Sequence, residues 1–438
     1  MTKHRFLKVP AALRTTVVAV AVSMMGAGAA QAATDIEVWF SLNEHNKEVF
    51  EGLVKKFNRD QDDVKVKLKA FNSPKEIEPA LLQKVGAKEK TPNLVQIDDN
   101  RDPESLAGRS YIMPLHTLLA KHPIKDAKWF VAPQNLSMRD AKGRLLAFPY
   151  MIDVPVMYYN IDAFKKAGVK PEVPKRSWYE LQEQLIDLAN KATRNCPATT
   201  DQSVSVNLEN LAAVNNQFFT SSDNGTKGVP SFAFDTTFVR HLSLMISWVK
   251  AELLVNPAAD IQALDRFGKS ECSILMSESS NLGRYIDTRS LNFGVTGLPY
   301  YPQVTKEPGN PFLDGTGLWA TSGHNDAEQK ATAQFLDWLS RTDNAATWYQ
   351  KTGFLPLTQQ AFDATGPDYY KNLGDWRNLV AVYAKPPVQT ARGFKINNYP
   401  EIRDMFHRKL HDALAGTYPA VTALTNASSE ATQMMRRK

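Results

Sequence analysis

Ile36-Glu37-Val38-Trp39-Phe40, Val64-Lys65-Val66-Lys67-Leu68 and Leu94-Val95-Gln96-Ile97 are three strand-like runs, and what lies between them decides the fold. Between the first two, Val49, Phe50, Leu53, Val54 and Phe57 recur at the spacing of one helix face. Between the second and third, Ile77 to Val85 reads as a helix. The second run alternates with lysines, as a half-exposed strand does. Strand, helix, strand, helix, strand is a βαβαβ unit, which builds a parallel sheet covered by helices. Ligands of such sheets sit beyond the carboxyl ends of the strands. Those ends are Ser41, Asn72-Ser73 and Asp98-Asp99.

Further along, Leu145 to Tyr150 and Val154 to Asn160 are strand-like runs punctuated by prolines. Ala163 to Ala167 reads as a short helix stopped by Gly168, and Ser177 stands as an N-cap before Trp178. Ser203 to Pro230 is polar and rich in Asn, Ser and Gly. Gln329 to Leu339 and Ile402 to Leu414 are amphipathic, and no internal repeat stands out.

At 438 residues the chain is too long for one ordinary domain. Its 43% hydrophobic and 22% charged residues are globular values, which excludes intrinsic disorder and fibrous classes. The formal charge of +6 is mostly N-terminal. Lys3, Arg5, Lys8 and Arg14 precede an apolar or small run, Thr15 to Ala30, and then Ala30-Gln31-Ala32. This is the pattern of a secretory signal peptide cut after Ala32. Removing it takes away four cations and no acid, leaving about +2. A strong electrostatic case for nucleic acid disappears with it. No later apolar run is long enough to span a bilayer, so the expectation is an exported, soluble, monomeric protein. In an oxidising compartment the cysteine pair, Cys196 and Cys272, suggests one disulfide; two buried free thiols are the alternative.

Catalytic signatures are missing: no His-Glu-x-x-His, no Gly-x-Ser-x-Gly and no phosphate-cradling Gly-x-x-x-x-Gly-Lys. His407 and His411 share a helix face but lack an obvious third ligand, so they read as a solvated face, and no metal or cofactor is expected. Trp39, near a strand's carboxyl end, and Trp178, at a helix start, are candidate ligand platforms; core packing is the alternative for each.

A longer series of motifs carries a resemblance. Trp39-Phe40-Ser41, Lys55-Lys56-Phe57-Asn58 and Pro92-Asn93-Leu94-Val95 come first. Tyr158-Tyr159-Asn160-Ile161-Asp162-Ala163-Phe164 and Ser177-Trp178-Tyr179-Glu180-Leu181 follow. Gly315-Thr316-Gly317-Leu318-Trp319, Phe335-Leu336-Asp337-Trp338-Leu339 and Lys351-Thr352-Gly353-Phe354-Leu355-Pro356 complete the order. The whole resembles the family 1 extracellular solute-binding proteins of ABC importers. Leu208-Glu209-Asn210, the two cysteines, and Gly393-Phe394-Lys395-Ile396 with Pro400-Glu401-Ile402-Arg403 resemble its glycerol-3-phosphate-binding subgroup.

The resemblance implies an α/β, two-lobe periplasmic binding protein fold of type II, with the ligand in a cleft between lobes joined by hinge crossovers. It implies a signal peptide at 1–32, lobe one at 33–152 and 293–345, and lobe two at 153–292 and 346–438. The ligand set it implies is Asp99 at the third strand's end, Ser279, Gly315 with Thr316, Phe354 and Lys395. Ser41, Asp153, Trp39 and Trp178 join them as candidates from their places at element ends. The chain departs from the subgroup at several of these positions. Met151-Ile152-Asp153 replaces a serine-bearing turn, and Phe354 stands for a tyrosine. Lys395 replaces a phosphate-gripping arginine, which keeps charge but loses the bidentate fork. Pro74 replaces a tyrosine, and Ser203-Val204-Ser205-Val206 replaces a tryptophan-bearing loop.

The expected function is capture of sn-glycerol-3-phosphate or a glycerophosphodiester in the periplasm and delivery to an inner-membrane ABC permease, with no chemistry. A different polar solute such as a sugar is the first alternative. A secreted phosphodiester hydrolase is the second, and a structural or adhesion protein is disfavoured by the α/β alternation.

Overall fold

A computed structural model describes residues 33–97, 102–256 and 260–436; the expected signal peptide and Asp99 lie outside the described residues. Period-two alternation organises the first sheet. In β1 (Thr34–Phe40), Ile36, Val38 and Phe40 pack with Phe50, Leu53, Val54 and Phe57 of the helix Glu44–Asp60. Trp39 belongs to the opposite layer, with Ile77 and Leu81 of the helix Ile77–Gly86. β1 pairs in parallel with β2 (Val64–Ala70) and β3 (Leu94–Ile97), as the βαβαβ reading predicts. β4 (Ile112–Met113), β5 (Phe148–Asp153) and β11 (Asp314–Thr321) complete the sheet. Its order is β2-β1-β3-β11-β4, with β5 on β11.

The second sheet runs β10-β6-β9-β7-β8. Its strands are β6 (Pro155–Asn160), β7 (Ala198–Thr200), β8 (Leu254–Val255), β9 (Ile274–Glu278) and β10 (Phe293–Thr296). β7 is parallel to β8 and β9, whereas β6 is antiparallel to β9 and β10. Each sheet carries its own helices, giving two α/β lobes. The C-terminal helices Tyr399–Leu414 and Ala420–Met435 pack with the helix Thr236–Lys250 in the second lobe's core.

Three passages of chain join the lobes. Only Val154 separates β5 from β6. Residues 297–313 carry the chain back from β10 to β11. Because β10 pairs with β6, this return begins after Thr296, later than the boundary expected at 293. The third passage follows the helix Thr342–Thr352, where the Leu355 N–H donates to the Ile152 carbonyl (2.7 Å).

Cys196 and Cys272 form a disulfide, the first of the two readings. They stand two residues before Ala198 and Ile274, which are register partners in β7 and β9, so the strand pairing brings them together. The polar stretch after Ser203 is not a surface loop. Residues 205–214 are helical and buried, beginning with a π-turn. Their amides serve the return passage: Asn210 accepts from the Phe312 N–H (2.7 Å) and Asn215 from the Tyr301 N–H (2.8 Å). Buried backbone donors need such partners, which is why asparagine occupies core positions there.

Candidate ligand-binding site

The carboxyl ends of β1, β3, β7 and β9 give the cleft its walls. Ser41 follows β1, and its N–H donates to Gln96 Oε1 of β3 (2.8 Å). On the second lobe Asp201 follows β7 and Glu278 closes β9. Asp153 and Asp314 stand at the ends of β5 and β11 that adjoin the crossovers, so four acids meet near the cleft floor. All four are buried.

Arg403 reaches them from the helix Tyr399–Leu414. It pairs with Asp314 of the first lobe (2.8 Å) and with Glu209 of the second (3.0 Å), and Glu209 also accepts from the Tyr399 hydroxyl. Burial works against the guanidinium charge, but Asp314 and Glu209 outweigh it and raise the Arg403 pKa well above its ordinary value. At Glu278 burial is the largest influence, and Asp153 and Asp314 add to it against Arg403, so its carboxyl is pushed well above the usual range.

Lys395 lies at the rim. It bonds Glu104 (2.5 Å) and lies 3.6 Å from Asp102, both on the first lobe. Partial burial disfavours its charge, yet the hydrogen bond to Glu104 and the charge of Asp102 raise its pKa. Lys75 makes a second pair across the lobes, with Asp404 (2.7 Å). Asn46 Nδ2 donates to the Ser280 carbonyl (2.9 Å), a further bridge from the first lobe to the second. The lobes are therefore drawn together in this structure.

Several candidates have other work. The Ser279 hydroxyl accepts from the Val154 N–H (3.3 Å) and donates to the Gly353 carbonyl (2.8 Å), tying two crossovers together. Gly315 has φ +87°, and a Cβ there would meet the Met151 carbonyl at 2.1 Å. Its N–H is directed at Asp314 Oδ1 (3.0 Å), so close backbone approach, not an oxyanion, requires glycine. The Thr316 hydroxyl contacts Met151 Sδ at 3.7 Å, inside the sheet. The Phe354 ring stacks on Trp348 (5.4 Å), which stacks on Tyr150 (4.5 Å), within the first lobe's core.

The two tryptophan platforms are corrected in the same way. Trp178 is 1% exposed and enclosed by His241, Trp248 and Tyr301 in the second lobe's core. Trp39 is equally buried, with Phe71 against its ring and Lys69 Nζ 4.2 Å from the ring centre. Ser177 takes the N-cap position without a side-chain capping bond. His407 and His411 lie on the helix whose buried side is Ile402, Met405, Phe406 and Leu410.

From the expected set, Asp153 lies among the buried acids around Glu278, Ser41 is held by Gln96, and Lys395 pairs with Glu104. The structure adds Glu209, Glu278, Asp314 and Arg403. Glu209 and Arg403 lie inside quoted motifs, which carried the signal, but charge pairing across the fold is what gives them a role. A cavity of about 690 Å³ lies elsewhere, in a groove on the first lobe bordered by Phe57, Lys121, Lys330 and Trp338. A second one of about 230 Å³ lies by the crossovers, between Val154, Arg176, Pro311 and Tyr383.

Residues 52–374 match the bacterial extracellular solute-binding proteins. The chain belongs to that family. It is 30% identical to the sn-glycerol-3-phosphate-binding periplasmic protein of Pectobacterium atrosepticum, covering 97% of this chain and 96% of that one. The protein of that name from Escherichia coli is 29% identical, over 97% and 98% of the two chains. Among solved structures, UgpB from Mycobacterium tuberculosis in complex with glycerophosphocholine superposes with TM-score 0.72 at 17% identity, covering 92% of this chain and 99% of that one. The maltose-bound MalE3 of T. maritima gives 0.71 at 18%, covering 92% and 100%. The fold is therefore the two-lobe periplasmic binding protein fold, and the protein is a periplasmic solute-binding protein.

Proposed function

We propose that this solute-binding protein captures a glycerol phosphate ligand, sn-glycerol-3-phosphate or a glycerophosphodiester, and delivers it to an inner-membrane ABC permease without chemical turnover. The observation that carries the reading is near-full-length similarity to sn-glycerol-3-phosphate-binding periplasmic proteins. The cleft supports it with two cations, Arg403 on the floor and Lys395 at the rim, beside hydroxyl-accepting carboxylates. Lys395 reaches an anion by exchanging Glu104 for the ligand's phosphate, a substitution of one charge-assisted bond for another. We extend the expected lobe division to a hinge at Val154, 297–313 and Gly353, about which the lobes open.

Equilibrium dialysis against labelled sn-glycerol-3-phosphate and glycerophosphocholine, with product analysis, tests this. One equivalent bound and recovered intact is expected. Released choline beyond one equivalent overturns the binding role, and no retention of either compound overturns the ligand class.

A further inference from the structure

Glu278 is a buried acid that the reading above leaves unused. It closes β9, opposite Pro155 in register and hence beside the first crossover. The residue is 7% exposed, and neither carboxyl oxygen has a hydrogen-bond partner among the described residues. Charged and titratable groups face it from the surrounding elements. Asp153 comes from β5, Asp314 from β11, Asp201 from the turn after β7 and Arg403 from the helix Tyr399–Leu414. Tyr158 of β6 and Tyr383 also lie within reach of its charge. The neighbourhood is acid-rich, with Arg403 as the cation acting on Glu278. Another negative group brought here meets repulsion, and a positive one is welcome. An unsatisfied carboxyl also costs stability that a ligand donor restores.

We propose that Glu278 is a specificity-determining residue of the cleft, which meets an ammonium group on the head of a glycerophosphodiester. The inference rests on the glycerol phosphate reading and narrows it to diesters with a cationic head. Burial, with Asp153 and Asp314 beside it, raises the Glu278 pKa well above the usual carboxylate range and so favours the protonated carboxyl until a cation arrives. When the ammonium arrives, the Glu278 O–H bond breaks, its proton passes to solvent, and a carboxylate–ammonium pair forms. A phosphate monoester brings no cation, so its binding releases no proton from Glu278.

The test is calorimetric titration of the wild-type protein with glycerophosphoethanolamine and with sn-glycerol-3-phosphate at pH 7.5. Each is run in two buffers of different ionisation enthalpy, so that proton release is read without any variant. Proton release with the diester and none with the monoester is expected. Glu278→Gln should abolish the release and cut the diester-to-monoester affinity ratio by roughly tenfold, because a charged pair is lost. Equal proton release for both ligands, or an unchanged affinity ratio in Glu278→Gln, overturns the assignment and leaves the glycerol phosphate reading standing. Silence from both ligands overturns the two together.

Discussion

Glu278 and His241 are buried titratable groups whose effects on stability have opposite signs. The Glu278 carboxyl keeps its proton in the folded chain above pH 4.5, where the unfolded chain releases it. The folded state then binds more protons, so the stability due to this group falls as pH rises through that window. Glu278→Gln keeps the shape and removes the titration. Its melting temperature should gain on wild type at pH 8 relative to pH 4, and a gap independent of pH would contradict the assigned shift. His241 sits between the Tyr301 hydroxyl (3.0 Å) and Asn207 Oδ1 (2.9 Å), and burial lowers its pKa to about 3 from 6.5. Here the unfolded chain binds the proton first, so stability is lost as pH falls from 6.5 towards 3. His241→Gln should flatten that acid limb in denaturation measured across the range. Neither environment was legible in the sequence. The four charged neighbours of Glu278 come from four separate parts of the chain, and Lys395 lies 291 residues from Glu104. For Trp39 and Trp178 the sequence places the residue at an element's end, but burial of a large apolar ring decided which way it packs.

The elements at the hinge depend on two glycines and one serine. Gly353 has φ +83°, and a Cβ there would meet the Ser279 carbonyl at 2.2 Å, as a Cβ on Gly315 would meet Met151. Gly353→Ala and Gly315→Ala should each cost about 1–3 kcal/mol from the backbone conformation alone, with the clash in addition. Chemical denaturation measures this, and a loss below 1 kcal/mol would mean that the crossover relaxes freely. Ser279→Ala leaves the Val154 N–H and the Gly353 carbonyl without their shared partner, and should cost about 1–3 kcal/mol. Long periodic elements were legible here. The three parallel strands and their helices emerged from spacing because each has a continuous apolar face. The two-residue strands β4 and β8 carry too little pattern to read. The helical segment after Ser203 hid because it is buried on all sides and so has no amphipathic period, with Asn210 and Asn215 bonded to a distant passage.

At the scale of the molecule, two sheets and three crossovers make a two-lobe receptor, and one apolar cluster runs from Trp39 and Val95 of the first lobe to Tyr158 and Leu275 of the second. The disulfide spans 76 residues of the second lobe, across Cys196 and Cys272. Reduction should lower unfolding stability by about 2–5 kcal/mol. It should leave ligand stoichiometry unchanged, since the bond precedes the strands whose opposite ends form the cleft. The architecture was legible through the order of motifs along the whole chain, whereas the ligand was not, because the charged groups around Glu278 come from distant parts of the chain. The most direct test of the central claim is calorimetric titration with sn-glycerol-3-phosphate, glycerophosphocholine, glycerol and a neutral disaccharide. A phosphate-bearing glycerol ligand should bind one to one while glycerol and the disaccharide stay silent. Binding of the disaccharide with silence from both phosphates would contradict the account and make this a sugar receptor.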